Sequence, residues 1–371
     1  MRKLLLLITL FVSHVAFAED ADNAIKIKEL MENSDFNGAV LVARDGNVIF
    51  KEAYGIANVT TGEKLTTDSA FELASISKTF TAVAIHQLVE AGKMRFDDPV
   101  TKYFPKLPYD NVTIAGLLSH TSGLFDVYEE VEMREQHFAN YRTREENPEL
   151  VPYGNDDYLA FLEKYAPELL AGPYELSKYS NTAYVLLGLI IEQLSGQAYD
   201  DYINEYIYRP AGMTESFQFS MIPTSERPEY VKGHRINDDG DIKRSPDPDA
   251  PPRMRGETYG DDDMVSTLDD MLKFDVAIRE GWLIGPEIMI GALKPIILKN
   301  GTPSHYGLGF AIDQVGRHRY VGHSGSTSGF ITYMQFGLSG DNHTIILLSN
   351  MRNTKDSIRD LYASIRNIVA D

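Results

Sequence analysis

Apolar positions along the chain follow two different periods. Short apolar runs from Gly38 to Val42 and from Val48 to Tyr54 are split by Arg44-Asp45-Gly46-Asn47, and Asp-Gly between such runs predicts a β-hairpin. From Ser75 to Glu90 the spacing of Ile76, Phe80, Val83, Ala84 and Leu88 is helical, with Gly92 where a C-terminal cap belongs. Residues 21–33 read as a surface helix, and the clearest helices between 96 and 220 are Thr113–Leu118, Asp157–Tyr165 and Tyr184–Leu194. The Pro- and Asp-rich stretch 222–260 predicts a long surface excursion that builds no buried sheet. Strands return at Gly307–Asp313, Arg319–Val321, Phe330–Phe336 and Thr344–Leu348, and Lys355–Val369 closes the chain as a helix. Strands near both ends with helices between them predict an α/β (α+β) fold, in which the two termini jointly build an antiparallel sheet.

The first 18 residues change the picture of where the protein works. Arg2 and Lys3 precede an apolar run from Leu4 to Val15 and then Ala16-Phe17-Ala18, the pattern of a cleavable export signal. The expectation is a periplasmic or secreted protein whose residues 19–371 form a single domain. The apolar run is too short for a membrane span, and nothing later approaches one. The chain has no cysteine, so neither a lipid anchor at the cleavage site, nor a disulfide framework, nor a thiolate metal site is expected. The formal charge of −19 becomes −21 once Arg2 and Lys3 are removed, and such a surface repels phosphate backbones, so no nucleic-acid partner is expected. The acidity serves solubility, or alternatively a preference for amine-bearing substrates.

Three short motifs carry candidate chemistry. Ser75-Ile76-Ser77-Lys78 is an S-x-x-K element, which on a helix puts both side chains on one face. A serine hydroxyl needs a nearby base to become a nucleophile. Neutralising a solvated lysine at pH 7 costs about 4.6 kcal/mol, and burial lowers a lysine pKa by about 3–5 units, so Lys78 serves as that base only if it is desolvated. Tyr179-Ser180-Asn181 opens the apolar helix that includes Tyr184–Leu189. There Tyr179 and Asn181 are either a rigidly held phenol and amide, or a half-buried aromatic and a helix N-cap. Gly322-His323-Ser324-Gly325-Ser326 falls between two predicted strands, where small residues let a substrate lie along a strand edge. His305-Tyr306-Gly307 has the same His-x-Gly spacing but an aromatic centre and no following small residues, which sets it aside.

In this order the three motifs resemble the serine hydrolases of the penicillin-binding protein and class C β-lactamase superfamily. The resemblance covers nearly all of the mature chain. Phe71–Phe80, Asp97–Val100, Thr113-Ile114 through Ser119–Leu124, Tyr179–Gly188, Pro210–Met213 and Gly322–Gly325 are similar to that family's segments in the same order. It implies a β-lactamase-like fold, an antiparallel sheet flanked by helices (about 19–85 and 265–371) plus a helical subdomain (about 86–264), with the site in the groove between them. It further implies Ser75 as nucleophile and Lys78 with Tyr179 as the proton-transfer pair. Asn181, His323, Gly325 and Ser326 would bind substrate, with the Ser75 and Ser326 N–H groups as the oxyanion hole. No cofactor and no metal are implied.

Two positions depart from the family pattern. His323 replaces the lysine usual in β-lactamases, which resembles the esterase-like and D-aminopeptidase-like branches, and as a histidine it is expected to be partly charged near neutral pH. Asp262-Asp263 replace a common Gly-Gly within Gly260–Thr267. Either they face the cleft and favour amine-bearing substrates, or, as we adopt here, they lie in a solvated loop. Neighbouring acids rarely converge on one ion, so Asp261–Asp263 are not read as a metal site. The expected activity is hydrolysis of an ester, a peptide or a D-amino-acid amide through an acyl-enzyme. A β-lactamase or DD-carboxypeptidase is the rival within the same chemistry, and a catalytically idle binding scaffold is the rival outside it.

Overall fold

The Asp-Gly turn forms as its sequence predicts. Asp45 (φ 52°) and Gly46 (φ 76°) both adopt left-handed backbone, the requirement of the tight hairpin turn whose twist matches its strands, and they join β1 (Gly38–Arg44) to β2 (Asn47–Tyr54). The structure, a computed structural model, describes residues 18–126, 154–165, 168–222, 226–245, 258–315, 318–327, 329–337, 342–352, 354 and 357–370. The expected export signal lies outside these residues except for Ala18.

Four C-terminal strands complete the sheet: β3 (Ala311–Val315), β4 (His318–Ser326), β5 (Ile331–Gly337) and β6 (His343–Ser349). The order is β3-β4-β5-β6-β1-β2 with antiparallel neighbours throughout, so the N-terminal hairpin closes on the last strand. Side chains alternate across a strand, and here both faces of β1 and β6 are apolar. Val40, Val42, Ile345 and Leu347 pack against Ile27 and Met31 of the helix at 18–32 and Ile358, Leu361 and Ile365 of the terminal helix Ile358–Ala370. Ala39, Leu41, Ala43, Ile346 and Leu348 join the larger core, which contains Phe80, Val83 and Leu186 of the helices behind the site.

For the fold, the structure corrects the sequence reading in two places. His234–Ile236 and Ile242–Arg244 pair as a hairpin, and His234–Ile236 also pairs with Met351–Arg352. The 222–260 stretch therefore contributes a small sheet, with His234 fully buried; a chain rich in Pro and Asp still pairs where its backbone meets a partner edge. Second, Gly322–Ser326 is not a link between strands but the end of β4, registered on β5 from Gly322↔Gln335 to Ser326↔Ile331. Small residues have weak strand preference, and tertiary pairing overrides it.

That strand end approaches the segment carrying Ser75. Phe71–Glu72 pairs with Met264–Ser266 and leads into a 3₁₀ turn, Ala74–Ile76, continuous with the helix Ser77–Glu90. Leu73 N–H donates to Met264 O (2.8 Å), Met264 N–H donates to Ser77 Oγ (3.1 Å) and Thr332 Oγ1 donates to Leu73 O (2.7 Å). Ala74 has φ 51°, a left-handed conformation that costs a non-glycine residue about 1–3 kcal/mol and is held by these bonds. A Cβ on Gly325 would stand 2.2 Å from Leu73 O and 2.4 Å from Thr332 Oγ1. Only glycine permits the strand to lie this close to the Ser75 turn. Gly325→Ala should lower stability by about 1–3 kcal/mol in chemical denaturation, whereas an unchanged midpoint would show that the two segments are free to separate.

Candidate active site

Lys78 is fully buried, one helical turn after the partly exposed Ser75. Its Nζ meets three acceptors: Ser75 Oγ at 3.2 Å, Asn181 Oδ1 at 2.7 Å and the carbonyl oxygen of Asp261 at 2.8 Å. An ammonium has three N–H donors and no acceptor site, so the charged form is satisfied. Burial pushes the Lys78 amine below the usual lysine range, against the opposing fields of Asp261, Asp262 and Asp126. Of the three acceptors only the Ser75 hydroxyl also carries a proton to donate. When Lys78 is neutral, the amide and carbonyl oxygens keep its two N–H groups and its lone pair faces Ser75 Oγ.

Ser180, not Asn181, caps the helix Asn181–Ser195, its Oγ accepting from Ala183 N–H. This frees the Asn181 side chain for Lys78 while its Nδ2 donates to Asp126 Oδ2 at 2.8 Å. The Tyr179 ring lies beside Lys78, 5.1 Å from Nζ to the ring centroid. Its buried hydroxyl interacts with Ser75, but no hydrogen bond of good geometry forms. Burial raises the Tyr179 phenol above its ordinary value, Asp261 and Asp126 add to the effect, and Ser75 offsets it only in part. The phenol is therefore held protonated.

His323 is buried, and its Nδ1 lies 2.6 Å from the Ser324 carbonyl oxygen. A carbonyl only accepts, so Nδ1 carries the proton and Nε2 presents a lone pair, buried and without a hydrogen-bond partner. Burial, reinforced by Lys78, pushes the imidazole down to about 4. The expected partial charge at neutral pH is thus corrected to a neutral ring. The solvated-loop reading of Asp262-Asp263 is corrected for Asp263. Asp261 and Asp263 are fully buried, burial raises both carboxyls, Asp263 to about 7, and Ser220 Oγ donates to Asp263 Oδ2 at 2.5 Å. Asp262 is partly exposed, and its charge acts on both Lys78 and Tyr179.

The structure brings Ser75, Lys78, Tyr179, Asn181 and His323 together, with Gly325 against the Ser75 turn and Ser326 at the exposed end of β4. It adds groups that sequence reasoning passed over. His120, in left-handed backbone (φ 56°), packs against Tyr179 with ring centroids 4.3 Å apart and planes tilted by 32°, and its Nδ1 accepts from Ser180 N–H at 3.2 Å. Tyr306, from the His-x-Gly occurrence set aside earlier, lies 5.8 Å from the His323 ring and 4.8 Å from His120. Asp126 follows the Ser119–Leu124 segment two residues on, and only its place next to that segment hinted at it. Among the described residues no group of His and acidic side chains is arranged to hold a metal ion, and no helix is long and apolar enough to cross a membrane.

Residues 24–369 match the family described as Beta-lactamase. The chain belongs to that family. It is a serine hydrolase of the β-lactamase and penicillin-binding protein superfamily. Penicillin-binding protein 4* of Bacillus subtilis (strain 168) is 34% identical over 86% of this chain and 69% of its own length. The teichoic acid D-alanine hydrolase of Staphylococcus aureus (strain MRSA252) is 24% identical over 92% of this chain and 77% of its own. The crystal structure of a penicillin-binding protein from Bacillus halodurans superposes with a TM-score of 0.71 at 25% identity, covering 92% of this chain and 98% of that one. The β-lactamase-like fold expected from the sequence is the fold observed.

The buried Asp263 carboxyl makes stability depend on pH. Below about pH 4 both the folded and the unfolded chain keep this proton. From about 4 up to the folded value of about 7 the unfolded chain releases it first, so rising pH removes stability across that window. Asp263→Asn should therefore raise the thermal midpoint more at pH 8 than at pH 5. An equal shift at both would show that Asp263 does not hold its proton in the fold.

Proposed function

We propose that Ser75 attacks a carboxylic ester, peptide or D-amino-acid amide, forms an acyl-enzyme and is released by water. The observation that carries this reading is the Lys78 amine, whose only proton-donating neighbour among its three hydrogen-bond partners is Ser75. Lys78, lowered by burial, takes the Ser75 proton as the Oγ–acyl bond forms. Tyr179, held protonated, is the donor positioned beside Ser75 to pass a proton to the departing alkoxide or amine. Lys78 rather than Tyr179 is the general base, because the same burial that neutralises an amine opposes a phenolate. The N–H groups of Ser75 and Ser326 hold the oxyanion, a service that costs about 2.7–4 kcal/mol of barrier when one donor is lost.

The charge around the site favours substrates without a carboxylate. His323 is neutral where a β-lactamase-type lysine would be cationic, while Asp126 and Asp262 act on Lys78 from nearby. An amine-bearing acyl group suits that field, in keeping with the D-alanine named for the Staphylococcus aureus relative. The reading of residues 1–18 as an export signal supports a reaction outside the cytoplasm.

A panel of chromogenic acetate ester, D-alanine anilide, cephalosporin and acyl-D-Ala-D-Ala peptide should show turnover of the first two, abolished by Ser75→Ala. Turnover confined to the cephalosporin or the acyl dipeptide would replace this reading with a β-lactamase or DD-carboxypeptidase. Because His323 titrates near 4, the ratio of wild-type to His323→Gln rates should stay flat between about pH 6 and 7.5, and a step in that range would restore a charged His323.

A further inference from the structure

An asparagine amide has a donor end and an acceptor end, and nothing in Asn181 itself decides which one faces Lys78. Asn181 Nδ2 donates to Asp126 Oδ2 at 2.8 Å, and the Asn181 backbone N–H reaches the same oxygen at 3.3 Å. The opposite end, Oδ1, then accepts from Lys78 Nζ at 2.7 Å. Turning the amide over would set its NH₂ against the Lys78 ammonium, donor to donor, or draw the lone pair of the neutral amine away from Ser75, and would set its oxygen against the Asp126 carboxylate. Asp126 is only 1% exposed, so water does not compensate for either clash. The preceding residue is tied to the same helix start, Phe125 O accepting from Ser180 Oγ at 3.1 Å.

We propose that Asp126 is a positioning residue that fixes the amide of Asn181 with its oxygen toward Lys78, and thereby aims the Lys78 lone pair at Ser75. The inference rests on the reading of Ser75 and Lys78 as the reacting pair. Asp126 acts on Lys78 through Asn181 and through its charge, which favours the ammonium form. Asp126→Asn keeps an oxygen that accepts both Asn181 N–H groups but removes the charge. Asp126→Leu removes the acceptor altogether and orphans the Asn181 amide. In Asn181→Asp two carboxylates oppose each other, and adding Asp126→Asn restores a donor–acceptor pair of reversed polarity.

The test follows covalent labelling of the full-length mature protein by an ethoxy fluorophosphonate, read by intact mass from about pH 5 to 10. In that reaction the Ser75 Oγ–P bond forms as the P–F bond breaks, the hydroxyl proton passes to Lys78 and fluoride leaves. A wild-type adduct that disappears in Ser75→Ala establishes the reacting pair, and its absence from wild type removes both that reading and this one. With the adduct in place, Asp126→Asn should move the acid limb of the rate profile to lower pH, and Asp126→Leu should label at least about tenfold more slowly at every pH. Asn181→Asp/Asp126→Asn should label faster than Asn181→Asp alone. Wild-type labelling by Asp126→Leu, or an unmoved limb in Asp126→Asn, would overturn the proposal. Should Asp126→Leu fail to fold, the Asn181→Asp comparison decides, and no recovery in the double variant overturns it.

Discussion

A lysine amine with no access to water must find its hydrogen-bond partners in the protein, and the arrangement around Lys78 organises the rest of the site. Its three acceptors come from parts of the chain far apart in sequence: Ser75 from the 3₁₀ turn before the Lys78 helix, Asn181 from the start of another helix and Asp261 from the loop leading into Met264–Ser266. Each is held in turn. Leu73 and Ser77 are bonded to Met264, Ser180 caps the Asn181 helix and Asp126 holds the Asn181 amide. A shift in any of these segments leaves a buried donor unsatisfied, at about 1–3 kcal/mol.

Burial also sets the protonation of the other members, and it does so with one sign. It favours neutral forms, so His323 loses its charge, Tyr179 keeps its proton and Asp263 is pushed up to about 7. The same burial gives each group a separate task. In the proposed mechanism the neutral lysine is the base, the protonated phenol is the donor, and the uncharged histidine offers no cation to a carboxylate-bearing substrate. The acids around Lys78 oppose its neutralisation, so its basicity is a balance between desolvation and their field.

The sequence showed most of the framework. The Asp45-Gly46 turn, the Ser75–Glu90 periodicity and the clustering of strands at both ends led to the sheet that closes β1 on β6, because local turn chemistry and apolar spacing determine such elements. The spacing of Ser75 and Lys78 carried little by itself, and it gained its meaning from Tyr179, Asn181 and His323 following in the order of the motifs. What stayed hidden depends on contacts distant in sequence. No local pattern says that Asp261 and Asp263 are buried, that His323 loses its charge through its own burial, or that Asp126 meets Asn181 across 55 positions. The extension of β4 through Gly322–Ser326 was hidden because residues of weak strand preference are paired there by the register of a neighbour.

In the proposed mechanism Lys78 is a desolvated amine that gives up its proton more readily than a solvated lysine, which makes its lone pair available to Ser75. The direct measurement is an NMR titration of the protein labelled with ¹³Cε-lysine, with the Lys78 signal assigned by its loss in Lys78→Arg. Lys78 should titrate with a midpoint clearly below the ordinary lysine value of about 10.4. A midpoint at or above that value would show that the amine stays an ammonium, and a lysine general base at this site would be contradicted.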